Sequence, residues 1–157
     1  MGADIAALLA ARGVPVQVVC RRGRSFDTLR DRIAASVAQL GAPKAADAVS
    51  VADSLAAARW AGVGLVIESL AEDLALKRQA FAELEPLAPA NAVLASNSSS
   101  FPISHIGDGL RSRARMIGLH FFMPAHLVPL VEVILSEASD PAAARRVYDF
   151  MAALGCE

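Results

Sequence analysis

Three side chains able to hold or move a proton follow one another between residues 92 and 135: Ser99, His120 and Glu132. A hydroxyl, an imidazole and a carboxylate suit one kind of work. The carboxylate orients the ring, the ring takes a proton, and the hydroxyl holds or gives one. Each lies in or just after a short apolar run. Ala92-Val93-Leu94-Ala95 breaks into Ser96-Asn97-Ser98-Ser99-Ser100, and Met116-Ile117-Gly118-Leu119 breaks into His120-Phe121-Phe122-Met123-Pro124. The run 128–135 carries Glu132 among Val, Leu and Ile. Runs of this kind read as strands buried on both faces. Polar groups just past the C-terminal ends of parallel strands are where open α/β sheets build sites. The three residues are therefore expected at one end of a sheet, with an imidazole nitrogen of His120 in hydrogen-bond reach of Glu132. A carboxylate inside an apolar run is costly unless paired.

Each residue also has a plainer reading. Ser98, Ser99 and Ser100 suit a turn or a cap. His120 suits a core histidine with both nitrogens satisfied. Glu132 shares a strand face with Leu130 and Ile134 and suits an edge strand that points it to water.

The rest of the chain alternates. Residues 3–12 read as a helix ended by Gly13. Residues 16–19 read as a buried strand, and 25–40 as a helix with Leu29, Ile33, Val37 and Leu40 on one stripe. Gly41 stops it; a loop over 41–44 leads to a short strand at 48–51. A brief helix is expected over 53–59, a strand over 64–68, and a helix over 74–85 closed by Pro86 and Pro89. After the site region a last helix spans 141–154, with Pro141 in its first turn. Alternation of this sort implies α/β architecture, a doubly wound parallel sheet in one domain spanning 1–157.

The composition narrows the partners. The chain has 157 residues, 55% hydrophobic and 5% aromatic, with a net charge of −1. An aliphatic core of that kind offers no stacking platform or broad basic face for nucleic acid. Arginines cluster at 21, 22 and 24 and again at 111, 113 and 115, and solvated loop charge is the default reading of both. Cys20 and Cys156 form neither a metal-like spacing nor a disulfide framework, so no metal is expected and a reducing compartment is. No run approaches the ~18 apolar residues of a membrane span. The N-terminus lacks a basic signal-peptide region, so a soluble cytoplasmic protein is expected.

Together the motifs resemble the N-terminal, NAD-binding domain of L-3-hydroxyacyl-CoA dehydrogenases. The matching pieces, in order, are Met1-Gly2-Ala3-Asp4-Ile5-Ala6, then Leu65-Val66-Ile67-Glu68-Ser69-Leu70-Ala71-Glu72-Asp73-Leu74 with Lys77. Ala95-Ser96-Asn97-Ser98-Ser99-Ser100, Gly118-Leu119-His120-Phe121-Phe122 and Leu130-Val131-Glu132-Val133-Ile134 follow. The resemblance implies a Rossmann-like fold and hydride transfer between a nicotinamide cofactor and a 3-hydroxyacyl-CoA, in fatty acid metabolism. It implies His120 as catalytic base, Glu132 as the carboxylate that orients it, and Ser99 as the serine bonded to substrate and cofactor. Gly2, Glu72, Lys77 and Asn97 are implied at the cofactor cleft, and a homodimer for the full-length family member.

Four departures qualify the resemblance. Family members carry a strand and a Gly-x-Gly turn before the Met-Gly; here Gly2 is the one fingerprint glycine left. Without that strand and turn the chain is expected to bind dinucleotide poorly and to turn over little. Cys20-Arg21-Arg22 stands where the family has an acidic residue that binds the ribose 2′-hydroxyl, so Arg21 is a candidate for the 2′-phosphate of NADP. Met123 replaces the usual asparagine after His-Phe-Phe. The family's C-terminal helical domain, which supplies substrate contacts and the dimer interface, does not follow. A second reading therefore stands beside the enzyme: a non-catalytic relic or interaction module of the same descent.

Overall fold

A computed structural model describes residues 1–20 and 26–157. They divide into two compact units, Met1–Arg59 with Phe122–Pro129, and Trp60–Phe121 with Leu130–Glu157.

The first unit holds helix α1 (Gly2–Ala11), strand β1 (Val16–Val19), helix α2 (Phe26–Gln39) and strand β2 (Val49–Ala52). Strands β1 and β2 pair in parallel, Val16 opposite Val49 and Val19 opposite Ala52. Alanine and leucine favour the helix in α1. It ends in a Schellman turn: the N–H of Gly13 donates to Ala10 and that of Val14 to Leu9. Gly13 sits at φ 79°, a conformation a side chain would strain. Ala3, Ala6 and Ala7 of α1 pack on Ile33 and Val37 of α2, with Val16, Val18, Leu29 and Val49 against them. One buried charge interrupts this apolar contact. Asp4 is 1% exposed. It accepts from Arg32 Nε and Nη2 at 3.1 and 2.9 Å and from Ser36 Oγ at 3.1 Å. Burial pushes its pKa up, but the Arg32 and Ser36 bonds and nearby positive charge hold it below the usual carboxylate value.

Two expectations fail in this unit. The loop expected over 41–44 gives way to a 3₁₀ helix, Pro43–Ala48, with proline in its first turn. The helix expected over 53–59 is a series of bends and turns. Ser54 Oγ accepts from the Ala57 N–H at 3.3 Å, and Gln17 Oε1 takes the Arg59 N–H at 2.8 Å. Such side-chain bonds give the backbone an alternative to the helix.

The second unit is built on a four-stranded sheet in the order β3-β4-β5-β6: Leu65–Glu68, Val93–Ser96, Met116–Phe121 and Val131–Ile134. Helix α3 (Leu74–Leu84) joins β3 to β4, the single turn α4 (Ile103–Ile106) lies between β4 and β5, and α5 (Pro141–Ala153) follows β6. Asp73 caps α3 by accepting from the Leu76 N–H, and Asp140 caps α5 from Ala142. Strands β3, β4 and β5 are parallel, but β6 runs antiparallel to β5. That corrects the expectation of a wholly parallel sheet. The connection over 122–130 is shorter than the dozen or so residues a parallel crossover needs. The run expected as a strand over 128–135 pairs only from Val131 to Ile134.

Phe81, Leu94, Ile106, Met116, Ile117 and Leu119 form the centre of this unit and are fully buried. Gly118 lets β5 come close to its neighbours: a Cβ there would stand 2.9 Å from Ile134 Cβ and 3.3 Å from Ile103 Cδ1. Arg115 is not the solvated loop charge expected of it. Its guanidinium donates to the carbonyls of Pro89, Ala92 and Glu85 at 2.6, 3.2 and 3.3 Å, which closes the C-terminal end of α3. Among the described residues no helix is long and apolar enough to cross a membrane.

Candidate active site

His120 is the second-last residue of β5, and the antiparallel register sets Glu132 directly opposite it on β6. His120 Nδ1 lies 2.9 Å from Glu132 Oε2. The pairing follows from the register rather than from burial. The side chain of Glu132 is 51% exposed, because β6 is an edge strand, while that of His120 is 19% exposed. The expectation of a buried carboxylate is thus corrected: water already solvates much of Glu132, and the imidazole orients it without having to neutralise it. With Glu132 ionised, the Nδ1–H donates to it and Nε2 is the acceptor nitrogen.

Strand β4 delivers the serine loop beside this pair. Asn97 follows β4 at once, and its Oδ1 accepts the Phe121 N–H at 2.8 Å. That bond ties the loop to the residue after His120. It also assigns Asn97's carbonyl to the backbone rather than to a ligand. Ser99 itself is exposed. The serines on either side of it, Ser98 buried and Ser100 exposed, bond to Glu72. Ser98 Oγ and Ser100 Oγ both donate to Glu72 Oε1, the latter at 2.7 Å, and the Ser100 N–H donates to the same oxygen at 3.1 Å.

Behind Glu72 lies a buried ion pair. Lys77 Nζ stands 2.9 and 3.1 Å from the two oxygens of Glu68 and 3.2 Å from Glu72 Oε2. Ser96 Oγ donates to Glu68 at 2.7 Å, and the Leu70 N–H at 2.5 Å. The side chains of Lys77 and Glu68 are 1% and 2% exposed. Lys77 therefore does not line an open cleft, as the resemblance implied; it supports Glu72 from within. Glu68 and Ser96 were not among the expected site residues. The signal for Glu68 was present in the sequence: it ends an apolar run, as a carboxylate does only when something pairs with it.

Burial raises the pKa of Glu72, but the bonds from Ser98, Ser100 and Lys77 outweigh it and take it down to about 2. The sign of the linkage follows. A folded-state pKa below the ordinary 4.5 contributes stability that is complete above that value and is lost as pH falls toward about 2. Glu72 is 35% exposed, so solvent reduces the contribution. Denaturant midpoints measured from pH 6 down to pH 2.5 are expected to fall more steeply for the natural chain than for Glu72→Gln; parallel curves would contradict this.

Gly2 opens α1, and the Met1 carbonyl accepts from the Asp4 and Ile5 N–H groups. Cys20 follows β1, its N–H donating to Ala52. Arg21, with Arg22 and Arg24, lies outside the described residues. Met123 is 74% exposed beyond β5. Among the described residues no three His, Cys, Asp or Glu side chains gather as metal ligands would.

A family model described as 3-hydroxyacyl-CoA dehydrogenase, NAD binding domain, matches residues 1–157. The chain belongs to this family. A 3-hydroxybutyryl-CoA dehydrogenase of Mycobacterium tuberculosis (strain ATCC 25618 / H37Rv) is 45% identical over 87 residues, 55% of this chain and 30% of that protein. The glyoxysomal fatty acid beta-oxidation multifunctional protein MFP-a of Brassica napus is 46% identical over 72 residues, 46% of this chain and 10% of that protein. Among solved structures, M. tuberculosis FadB2 superposes with a TM-score of 0.90 at 34% identity, over 100% of this chain and 58% of that one. The 3-hydroxybutyryl-CoA dehydrogenase of Escherichia coli K12 gives 0.89 at 28% identity, over 100% of this chain and 35% of that one. The chain thus spans at most 58% of the length of these relatives. The family and these neighbours establish the mixed α/β, Rossmann-like fold and a nicotinamide cofactor for the domain type.

Proposed function

We propose that this chain is the dinucleotide-binding part of an oxidoreductase that moves a hydride between a nicotinamide cofactor and a 3-hydroxyacyl-CoA or related 3-hydroxy acid. The observation that carries the reading is the 2.9 Å bond between His120 Nδ1 and Glu132 Oε2 in a chain of this family. Glu132 accepts the Nδ1–H and so fixes the tautomer. His120 Nε2 takes the substrate hydroxyl proton as the carbon–hydrogen bond breaks, and Glu132 stabilises the imidazolium. The exposed Ser99 hydroxyl holds the substrate oxygen. Bound nicotinamide supplies the hydride acceptor.

The residues fit such a cofactor. Helix α1 opens at Gly2 with backbone amides that no earlier turn of helix can satisfy, a suitable seat for pyrophosphate. Asp4 in that first turn would repel an anion, but Arg32 grips its carboxylate with two bonds. We assign Gly2, Glu72, Asn97 and Ser99 to the cofactor side, with Lys77 acting through Glu72. Under this reading the protein is a cytoplasmic homodimer; two cysteines with no framework spacing suit a reducing compartment.

Calorimetric titration of the full-length protein with NAD, followed by an assay with 3-hydroxybutyryl-CoA, tests the reading. Binding with turnover is expected. Binding without turnover on any 3-hydroxyacyl-CoA would favour the non-catalytic module, and no binding would end both the cofactor and the enzyme assignments.

The same titration addresses NAD against NADP. Arg21 and Arg22 follow Cys20, where an acid would select the ribose 2′-hydroxyl. Cys20→Asp is expected to move the NAD-to-NADP affinity ratio toward NAD by about tenfold, the weight of one charge-assisted hydrogen bond. Equal ratios in both proteins would remove the arginines from the argument.

A further inference from the structure

We propose that His126 is a positioning residue for the cofactor seat: it keeps one proton on Nδ1, toward Asp4, and takes a second on Nε2 when the pyrophosphate of a dinucleotide settles at the start of α1. The coupling to cofactor rests on the function proposed above; the placement of the Nδ1 proton does not.

His126 lies in the segment 122–129, which carries no other titratable group. The Leu127 and Val128 N–H groups donate to the Pro124 carbonyl at 2.9 and 3.0 Å and hold the turn around it. Its side chain is 7% exposed and reaches the Asp4 cluster of the same unit. Nε2 stands 2.5 Å from Gln39 Oε1 on α2. Nδ1 is buried with no hydrogen-bond partner, 3.8 Å from Asp4 Oδ1. The other groups facing this cluster are Arg32 and Ser36 of α2, both bonded to Asp4, and the Met1 ammonium, 3.5 Å from Asp4 Oδ2.

These contacts decide where the protons sit. A neutral imidazole with its proton on Nε2 would turn the bare Nδ1 lone pair toward a buried carboxylate, so that two acceptors face each other. A proton on Nδ1 makes the contact attractive; at 3.8 Å it is electrostatic rather than a hydrogen bond. Nε2 then has two states. Bare, it accepts from the Gln39 NH₂; protonated, it donates to Gln39 Oε1. The Gln39 amide carries both a donor and an acceptor and serves either state by rotating. The second proton therefore comes and goes without orphaning Nε2.

Asp4 links that proton to the cofactor. It places a negative charge in the first turn of α1, beside the proposed pyrophosphate seat. Arg32 offsets this charge once, and a doubly protonated His126 offsets it again. An anion at the seat favours the second proton, and the second proton favours the anion to the same degree.

Nitrogen-15 NMR of the imidazoles in the full-length protein tests the first part. Neutral His126 is expected as the Nδ1–H tautomer, with Nε2 the nitrogen that titrates; a bare Nδ1 would overturn the proposal. Calorimetry tests the coupling, with ADP-ribose as probe. It brings a pyrophosphate that does not titrate near neutral pH and lacks the nicotinamide that His120 would meet. Titrations near pH 6.5 in buffers of different ionisation enthalpy are expected to show proton uptake on binding. Kd is expected to weaken about tenfold as pH rises from about 5.5 to 8. His126→Asn keeps an N–H for Asp4 but cannot gain a second proton. Its uptake should vanish and its Kd change less than about twofold over that range; uptake equal to the natural protein's would overturn the coupling. Should His126→Asn fail to fold, Gln39→Glu serves. A carboxylate there holds the second proton on Nε2 with or without ligand, so uptake should again disappear. Undiminished uptake in Gln39→Glu would overturn the coupling as well. Binding by the natural protein without proton uptake sinks the coupling and leaves the cofactor reading standing. Binding of neither ADP-ribose nor NAD sinks both, and the NMR result alone then decides the Nδ1 proton.

Discussion

Replacing His120 by alanine is expected to lower turnover of a 3-hydroxyacyl-CoA by about 10²–10⁴-fold, the usual weight of a lost general base. Ser99→Ala is expected to cost less. Under the proposed mechanism the histidine accepts the proton that must leave the substrate oxygen, whereas the serine only holds that oxygen in place. The geometry supports the ranking. His120 is fixed at the end of a central strand by a bond to Glu132 across the ladder, at 2.9 Å. Ser99 stands in an exposed loop where water can replace part of what its hydroxyl does. Steady-state kinetics of the two variants in the full-length protein check this. A His120→Ala variant near the natural rate would remove the proton-transfer role.

Lys77→Met is expected to destabilise the fold by about 3–5 kcal/mol, the range for removing one partner of a buried ion pair. The side chain of Glu68 is 2% exposed and its carboxylate takes two contacts from Lys77 Nζ. Without the ammonium, the bonds from Ser96 and Leu70 remain, but the charge stays buried with nothing to balance it. Adding Glu68→Gln to Lys77→Met should recover much of the loss, since a neutral side chain no longer needs a counter-charge. Urea unfolding near pH 7 reads both variants. A Lys77→Met protein as stable as the natural one would show that the pair contributes little beyond its volume.

Much of this arrangement was legible in the residues. The apolar runs at 16–19, 64–68, 92–95 and 116–119 are strands or overlap them closely; β4 and β5 are buried nearly throughout, as continuous apolar runs suggest, but β1, expected to be buried, is only half-buried, as is most of β3. Gly13 and Gly41 end α1 and α2, where a glycine C-cap allows the turn. The reversal of β6 was legible only through the length of its connection. His120 and Glu132 could be named from type and position, but their bond depends on an antiparallel register that spacing alone does not specify. The failed helix over 53–59 shows the limit of local pattern. Ser54 and Gln17 supply bonds there that compete with helix formation, and Gln17 comes from a distant strand. The Glu68–Lys77 pair was hidden for the same reason: it joins the end of a strand to the buried side of a helix. Among the serines, type alone could not tell that Ser98 and Ser100 bond to Glu72.

The central claim is hydride transfer from a 3-hydroxyacyl-CoA carbon to nicotinamide, and isotope labelling tests it most directly. The full-length protein is incubated with NAD and 3-hydroxybutyryl-CoA that carries deuterium on the carbinol carbon. The nicotinamide is then recovered and weighed by mass spectrometry. The account predicts reduced nicotinamide that carries the deuterium, formed by the natural protein and far more slowly by His120→Ala. Nicotinamide recovered oxidised and unlabelled from every 3-hydroxyacyl-CoA tried, by a protein that binds the cofactor, would contradict it.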